Sequence, residues 1–381
     1  MLQETEKLRI PSNNPNFSAY SDLRLYSAGS GYPQNFSRDA IEAGLIADDP
    51  FMLRDQLIFG MRLQARVQDP FSGAQPFAFH HQYPSVVIRD GLNTGYAATD
   101  VTALQLIGLA YHYRATGDRS LLEHFRPNIV GAVEKYIFPH LSSNYLFQED
   151  PKFSGATSFA LLRTDWKDST TPGRPNGEVF YPAVYPLPQA QYIRALRGTG
   201  KLLGSDELVS IADKMSRSLK LVFDRELGTS FLALDREGPV RGINSDALNM
   251  MFYLEPRDFT PEQLEQTILS SRKLETQAGY LCLDPGIAAT IEDDYHARVW
   301  PKEQAIIHKG ASKFLDEILR TGPKYLIEAL IHVMDVASRV KKFLDSAPET
   351  LKVRDGIVEK AGCDPQLWTI AAKEYFHLIP R

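Results

Sequence analysis

Apolar residues recur at helical spacing along most of the chain from Thr99 onward, and Gly, Pro, Asp and Ser break the pattern at intervals. In TDVTALQLIGLAYHYRATGD (99–118), Val101, Leu104, Ile107, Leu109 and Tyr111 carry the period, which stops at the turn Gly117–Asp118. RSLLEHFRPNIVGAVEKYIFPHL (119–141) follows at once and reads as its antiparallel partner. In SDELVSIADKMSRSLKLVF (205–223), Ser205 is placed to cap, Glu207 sits in the first turn, and Leu208, Ile211, Met215, Leu219 and Val222 share one face. TPEQLEQTILSSRKLE (260–275) opens with Thr260 as cap and Pro261 at the first helical position. Two more helices, over KYLIEALIHVMDVASRVKKFLD (324–345) and PQLWTIAAKEYFHLI (365–379), end the pattern.

Strand-like runs are few and short. SVVIRD (85–90), TSFLAL (229–234) and GYLCL (279–283) read as local hairpin pieces, and nothing alternates strand with helix as a doubly wound fold requires. No flexible linker divides the chain and no fixed repeat marks a solenoid. The expectation is a single all-α domain over residues 1–381, irregular over 1–30. Its helices pair through short turns and long polar loops as an (α/α)6 toroid of six hairpins, with the long loops gathered at one end.

Composition fits a soluble globular protein: 43% apolar, 23% charged and 10% aromatic residues, with 17 Tyr and 20 Phe. A formal net charge of −5 provides no basic field for a phosphate backbone, so no nucleic-acid partner is expected. The opening residues MLQETEKLRIPSNNPNFSAY lack the apolar core of a secretory signal, and no run reaches the length of a membrane span. A cytoplasmic protein without a membrane partner is the expectation. Cys282 and Cys363 lie far apart without companion ligands and read as buried or half-buried thiols, so neither a metal nor a cofactor is expected.

Four loop segments mix carboxylates with indole and phenol rings. YSAGSGYPQNFSRDAIEAG (26–44) brings Arg38 and Asp39 to a helix start near Ser37. HHQYPSVVIRDGLNTGYAATD (80–100) ends at Asp100, and LLRTDWKDSTTPGRPNG (161–177) carries Trp166 and Asp168 and runs on to Glu178. LDPGIAATIEDDYHARVWPKEQ (283–304) holds His296 and Trp300, and VRDGIVEKAGCDPQLW (353–368) follows it late in the chain with Glu359 and Trp368. Singly, each residue has a structural use as a cap, a packed corner or a solvated charge. Together they form the mixture a sugar site needs: flat apolar faces for the C–H side of a pyranose, and acids for its hydroxyls.

Five of these motifs occur in an order that resembles the amylo-α-1,6-glucosidases, the glucosidase part of glycogen-debranching-type enzymes, and more distantly related inverting α-glycosidases with an α/α toroid. They are FSRDA (36–40), YAATD (96–100), WKDS (166–169), LCLDP (281–285) with DYHARVWP (294–301), and VEKAGCDPQLW (358–368). The resemblance implies Asp168 as general acid and Glu359 as general base. It assigns Arg38, Asp39 and Asp100 to the hydroxyls of the terminal sugar, and Trp166, His296 and Trp300 to the pocket walls, with Glu178 and Trp368 in the same substrate-binding set. An exo-acting, inverting hydrolase of α-glucosides follows, acting on α-1,6-glucosyl stubs or short oligosaccharides. Such chemistry needs one protonated carboxyl and one carboxylate, roughly 6.5–9.5 Å apart to admit a water. Trp166 would keep Asp168 protonated by excluding water, although Asp165 stays open as the acid if it points into the same pocket. The rival readings are a toroidal epimerase or isomerase using histidines such as His80, His81 and His296, a phosphorylase, and a non-catalytic carbohydrate-binding protein. The sequence leaves the oligomeric state open.

Overall fold

The computed structural model describes residues 2–168, 170–320 and 322–379. Among them, ten helices of eight or more residues carry the fold: α1 (Ser37–Ile46), α2 (Pro50–Leu63), α3 (Val101–Thr116), α4 (Pro186–Leu203), α5 (Asp206–Arg217), α6 (Asp246–Tyr253), α7 (Pro261–Ser271), α8 (Pro301–Ile318), α9 (Lys324–Ser338) and α10 (Leu367–Leu378). Helices α1, α3, α4, α6, α8 and α10 pack each against the next, and α10 packs back on α1, so the six close a ring. Helices α2, α5, α7 and α9 lie against this ring and keep a face in water.

Chain order sets which end of the ring holds the chemistry. Each of α1, α4, α6 and α8 is followed by a short turn and then by the helix that packs on it, whereas the returns to the ring are long: 64–100, 117–185, 218–245, 272–300 and 339–366. The long segments therefore all feed the N-terminal ends of ring helices. Ten of ten residues in α1 are buried, as is every residue of α3 from Val101 to Leu109. A helix enclosed on all sides needs no polar face, and α6, buried along its whole length, has none to reveal it.

Small residues let the ring close. A Cβ on Gly310 of α8 would stand 2.6 Å from the Phe252 amide nitrogen and 2.9 Å from the Met251 carbonyl carbon of α6. Gly198 of α4 faces Ala110 of α3 in the same way, at 2.9 Å.

Several local readings change. The stretch 119–141 is not one helix but short pieces, Ser120–His124, Arg126–Gly131 and Phe138–His140, with a π turn over Ala132–Ile137. Pro127 and Pro139 sit in the first turns of the later pieces, where a missing N–H costs nothing. Helices α5 and α9 tighten into 3₁₀ turns at Ser218–Val222 and Arg339–Phe343. The expected strand runs form two-stranded local pairs: Val87–Arg89 with Leu92–Asn93, Phe223–Asp224 with Thr229–Ser230, Ala233–Asp235 with Gly238–Val240, and Glu275–Thr276 with Gly279–Tyr280. One further hairpin, Thr350–Arg354 with Ile357–Ala361, occupies a segment the sequence reading treats as loop. Its turn, Asp355–Gly356, has φ of 49° and 78°, the left-handed pair of a two-residue hairpin. No helix among the described residues is long and apolar enough to cross a membrane.

Gly310→Ala is expected to push α8 off α6 and to destabilise the protein by about 1–3 kcal/mol. A lower urea midpoint at unchanged slope shows this; an unchanged midpoint means the helices separate freely.

Candidate active site

A cavity of about 170 Å³ opens where the ring helices begin. Its lining combines Arg38 and Asp39 from the first turn of α1, Trp300 before α8, and Gln366 and Trp368 at the start of α10. Loops add Tyr32, His81, Trp166, Asp168, Tyr295, His296 and Glu349. The aromatic rings support one another. Trp300 meets Trp166 edge-on at 5.5 Å, Trp368 at 6.2 Å and Tyr295 at 4.9 Å, and stacks on His296 at 6.0 Å. The buried indole N–H groups of Trp300 and Trp368 have no protein partner.

Three carboxyl groups line this cavity: Asp39, Asp168 and Glu349. Burial raises the pKa of Asp168, against the opposing pull of His296 and Arg38. Glu349 is buried and accepts a hydrogen bond from the Tyr295 hydroxyl at 2.5 Å on one oxygen and from the Cys363 amide at 3.2 Å on the other. Burial and then the Glu349 charge push the Tyr295 phenol up, so it stays a donor. Tyr32 is raised by burial and by the charges of both Glu349 and Asp168, which places the two acids within electrostatic reach of one phenol. Gly362 makes room for the glutamate: at φ 78°, a Cβ there would stand 2.6 Å from the Glu349 Cβ.

A layer of paired charges lies below. Arg38 grips Asp100 with two bonds of 2.7 and 3.0 Å, both side chains buried. Trp166 donates its indole N–H to Asp246 at 3.0 Å, and the ammonium groups of Lys167 and Lys302 sit 4.3 and 4.0 Å from the centre of its ring. Lys302 binds Glu42 at 2.8 Å and also lies 3.8 Å from the centre of Trp368, while Lys167 binds Asp246 and lies 3.7 Å from Glu303. His296 is held by Asp293 at 2.8 Å. His81 presents Nδ1 to the Thr94 carbonyl at 3.3 Å and Nε2 to Arg38 at 3.4 Å, which fits the neutral ring with its proton on Nδ1. Burial, followed by Arg38, lowers its pKa well below the usual value.

Of the residues singled out in the sequence, Arg38, Asp39, Trp166, Asp168, His296, Trp300 and Trp368 line one cavity. Asp100 stands behind it as the partner of Arg38. Asp165 does not line the cavity: it is buried against Arg163 through bonds of 2.8 and 2.7 Å. Glu178 is bound to Arg89 at 2.7 Å and lies outside the lining. Ser169, in the WKDS motif, lies outside the described residues. Glu359 is the main correction. It sits exposed on the second strand of the late hairpin, across from Lys352, while its neighbour Val358 packs inward opposite Val353. The carboxylate that this segment brings to the cavity is Glu349, one residue before the hairpin begins. The hairpin was legible as Asp-Gly between alternating residues, and that reading separates the outward Glu359 from the base of the hairpin. Tyr32, Gln366 and Tyr295 were not singled out either. Among the described residues, no group of three or more His, Cys, Asp or Glu is placed to hold a metal ion.

No family model matches the chain, and no curated protein matches its sequence. Among solved structures, it is similar to the GH63 mannosylglycerate hydrolase from Thermus thermophilus. The complex of that enzyme with Tris and D-glycerate aligns with a TM-score of 0.66 at 14% identity over 95% of this chain and 98% of that one. Its complex with glucose aligns with a TM-score of 0.64 at 12% identity over 99% and 98%. The two chains thus share a fold along nearly their whole lengths. This likeness is one of fold, and it does not single out an amylo-α-1,6-glucosidase.

The buried Asp39 has its pKa raised to about 7 by burial, against the pull of Arg38 and Lys302. A carboxyl raised on folding contributes stability below its unfolded value, near 3.9, and loses it as pH rises through 7. Asp39→Asn is therefore expected to flatten the fall in unfolding free energy between pH 4 and 8, checked by urea titration at several pH values; an unchanged pH profile contradicts the assignment.

Proposed function

We propose that the protein is an inverting, exo-acting hydrolase of short α-glycosides, with Asp168 as general acid and Glu349, not Glu359, as general base. We read the ring and its covering helices as an (α/α)6 toroid, whose closure brings these two acids together from far apart in sequence. One observation carries the proposal: a single cavity brings together Asp168, whose pKa burial raises, and Glu349, held by a phenol and a backbone amide. Such a pair of carboxyl groups is what glycoside hydrolysis requires, and inversion is the outcome that the sequence resemblance implies. Asp168 gives its proton to the glycosidic oxygen as the bond to the anomeric carbon breaks. Glu349 takes a proton from water as the water's oxygen bonds that carbon from the opposite face. The products are the free aglycone and a sugar of inverted anomeric configuration.

Trp300 and Trp368 supply flat faces and two unpartnered N–H donors, and Asp39 accepts from Gln366 at 3.2 Å while facing the cavity. An α-glucoside or α-mannoside with a small aglycone suits this site. The mannoside arm rests on the shared fold with the mannosylglycerate hydrolase, the glucoside arm on the motif resemblance.

Two rivals find less support here. An epimerase using His81 as a base would need a free ring nitrogen, but both nitrogens face partners; His296, held by Asp293 through Nδ1 alone, is the cavity histidine left for that role. A phosphorylase needs unpaired cations for phosphate. Arg38 is the one Arg or Lys among the described lining residues, and Asp100 occupies it.

On a panel of α-glucosides and α-mannosides, Asp168→Asn and Glu349→Gln are each expected to lower kcat by about 10²–10⁴-fold, while Glu359→Gln leaves it unchanged. A large loss in Glu359→Gln with full activity in Glu349→Gln would make Glu359 the base and reject Glu349. Tyr295→Phe frees one oxygen of Glu349, and its expected effect is a smaller fall in kcat with KM nearly constant; a change in KM alone would make Tyr295 a substrate contact.

A further inference from the structure

The opposite end of the ring holds a second cavity, of about 260 Å³, formed where α3, α4 and α6 end and α8 passes. Its walls repeat one pattern on two helices. Ile107, Ala110, Tyr111 and Arg114 form an i, i+3, i+4, i+7 stripe on α3, and Arg194, Arg197, Gly198 and Lys201 form the same stripe on α4. The close approach of Ala110 and Gly198 fixes the two stripes face to face, with Arg194 one turn below that contact and Arg114 and Lys201 one turn above it. Tyr253, Leu254 and Glu255 at the end of α6, and Lys313 of α8, complete the lining.

The charge here is unbalanced. Arg197 is matched by Asp213 at 2.8 Å and Asp258 at 2.7 Å. Arg114, Arg194, Lys201 and Lys313 form no ion pair with any carboxylate among the described residues. Glu255, the lone acid of the lining, is bound by Arg257 at 2.7 Å. A helix-capping role explains part of this set: Lys313 donates to the Phe252 and Leu254 carbonyls at 2.9 and 2.5 Å, and Arg194 also donates to Phe252. Each helix C-terminus carries only about half a negative charge, so capping does not use four cations. It also leaves Arg114, whose guanidinium lies 5.7 Å from the centre of the Tyr111 ring, and Lys201 without a carboxylate partner among the described residues. Burial, then the neighbouring Arg194, lowers the Lys313 ammonium to about 7, the state of a cation that lacks an anion.

We infer that this cavity is a binding site for a small organic phosphate, separate from the catalytic pocket. Two guanidinium groups, Arg114 and Arg194, suit the forked oxygens of a phosphate, and Lys201 and Lys313 add point charges. The remaining volume is walled by Ile107, Ala110, Tyr111 and Leu254, which fit a sugar-sized organic body rather than a bare ion.

The test is calorimetric titration of the purified full-length protein with glucose 6-phosphate at low ionic strength, with inorganic phosphate and glucose alongside. Wild type and Asp168→Asn are expected to bind glucose 6-phosphate equally. Arg114→Ala/Lys201→Ala, which removes two exposed rim side chains, is expected to weaken that binding at least tenfold, and Lys201→Glu alone to do the same. Inorganic phosphate is expected to bind more weakly than the ester. Absence of binding to wild type, or binding that both rim variants retain, would overturn the site and leave the cations as helix caps. Loss in Asp168→Asn would move the ligand to the catalytic pocket, and equal affinity for inorganic phosphate would overturn the organic ligand.

Discussion

Two ammonium groups lie against one indole at the centre of this protein, and the positions of the acids depend on that arrangement. Lys167 and Lys302 both approach the Trp166 ring within 4.3 Å, and each is neutralised by buried carboxylates drawn from different ring helices: Glu42 of α1, Asp246 of α6 and Glu303 of α8. Charges removed from water are costly unless fully matched, and taking away one partner of a buried pair costs about 3–5 kcal/mol. The network therefore tolerates little displacement of the helices that supply it. It pins the 161–177 loop to the ring, and with Trp166 fixed, Asp168 two residues later is presented to the cavity.

The same logic explains why the pocket stands at the N-terminal ends of the ring. Short turns join ring helices to the helices that cover them, so the segments long enough to carry chemistry must all return at one end. Each long segment then contributes a side chain with a different job. The 64–100 loop brings Asp100 to hold Arg38, the 272–300 loop brings His296 and Tyr295, and the 339–366 segment brings Glu349. In the proposed reaction, two chemically similar acids differ by environment: burial raises the pKa of Asp168, and two donors hold Glu349. The far end of the ring has the opposite balance, with cations in excess over carboxylates.

Local chemistry was the most legible part of the sequence. Thr260 and Gln263 form the capping box that the α7 start announces, Ser205 caps α5, and Gly117 closes α3 in the left-handed conformation. Of the ring helices, α6 was hard to read because burial along its whole length erases the polar face that makes a period visible, and polar residues such as Glu42, Lys302 and Glu303 inside ring helices look like surface positions until their partners are known. Motif order brought seven of the expected site residues to one cavity, because a motif at a loop–helix junction survives a wrong boundary. Glu359 failed for the converse reason. In a strand, a shift of one residue reverses the face, and only the Asp355–Gly356 turn tells which glutamate in that segment points outward. Glu349 itself carries no local mark; a tyrosine 54 positions earlier and a cysteine amide 14 positions later define it.

The central claim is that Asp168 and Glu349 act across a bound sugar on opposite faces of its anomeric carbon. Proton NMR of the sugar released from α-glucosides and α-mannosides, read at the anomeric signal in the first minutes, tests it most directly. The β-anomer is expected to appear first, and the α-anomer to grow only by mutarotation. Initial release of the α-anomer would contradict it, since retention requires one of these carboxylates to attack the sugar itself.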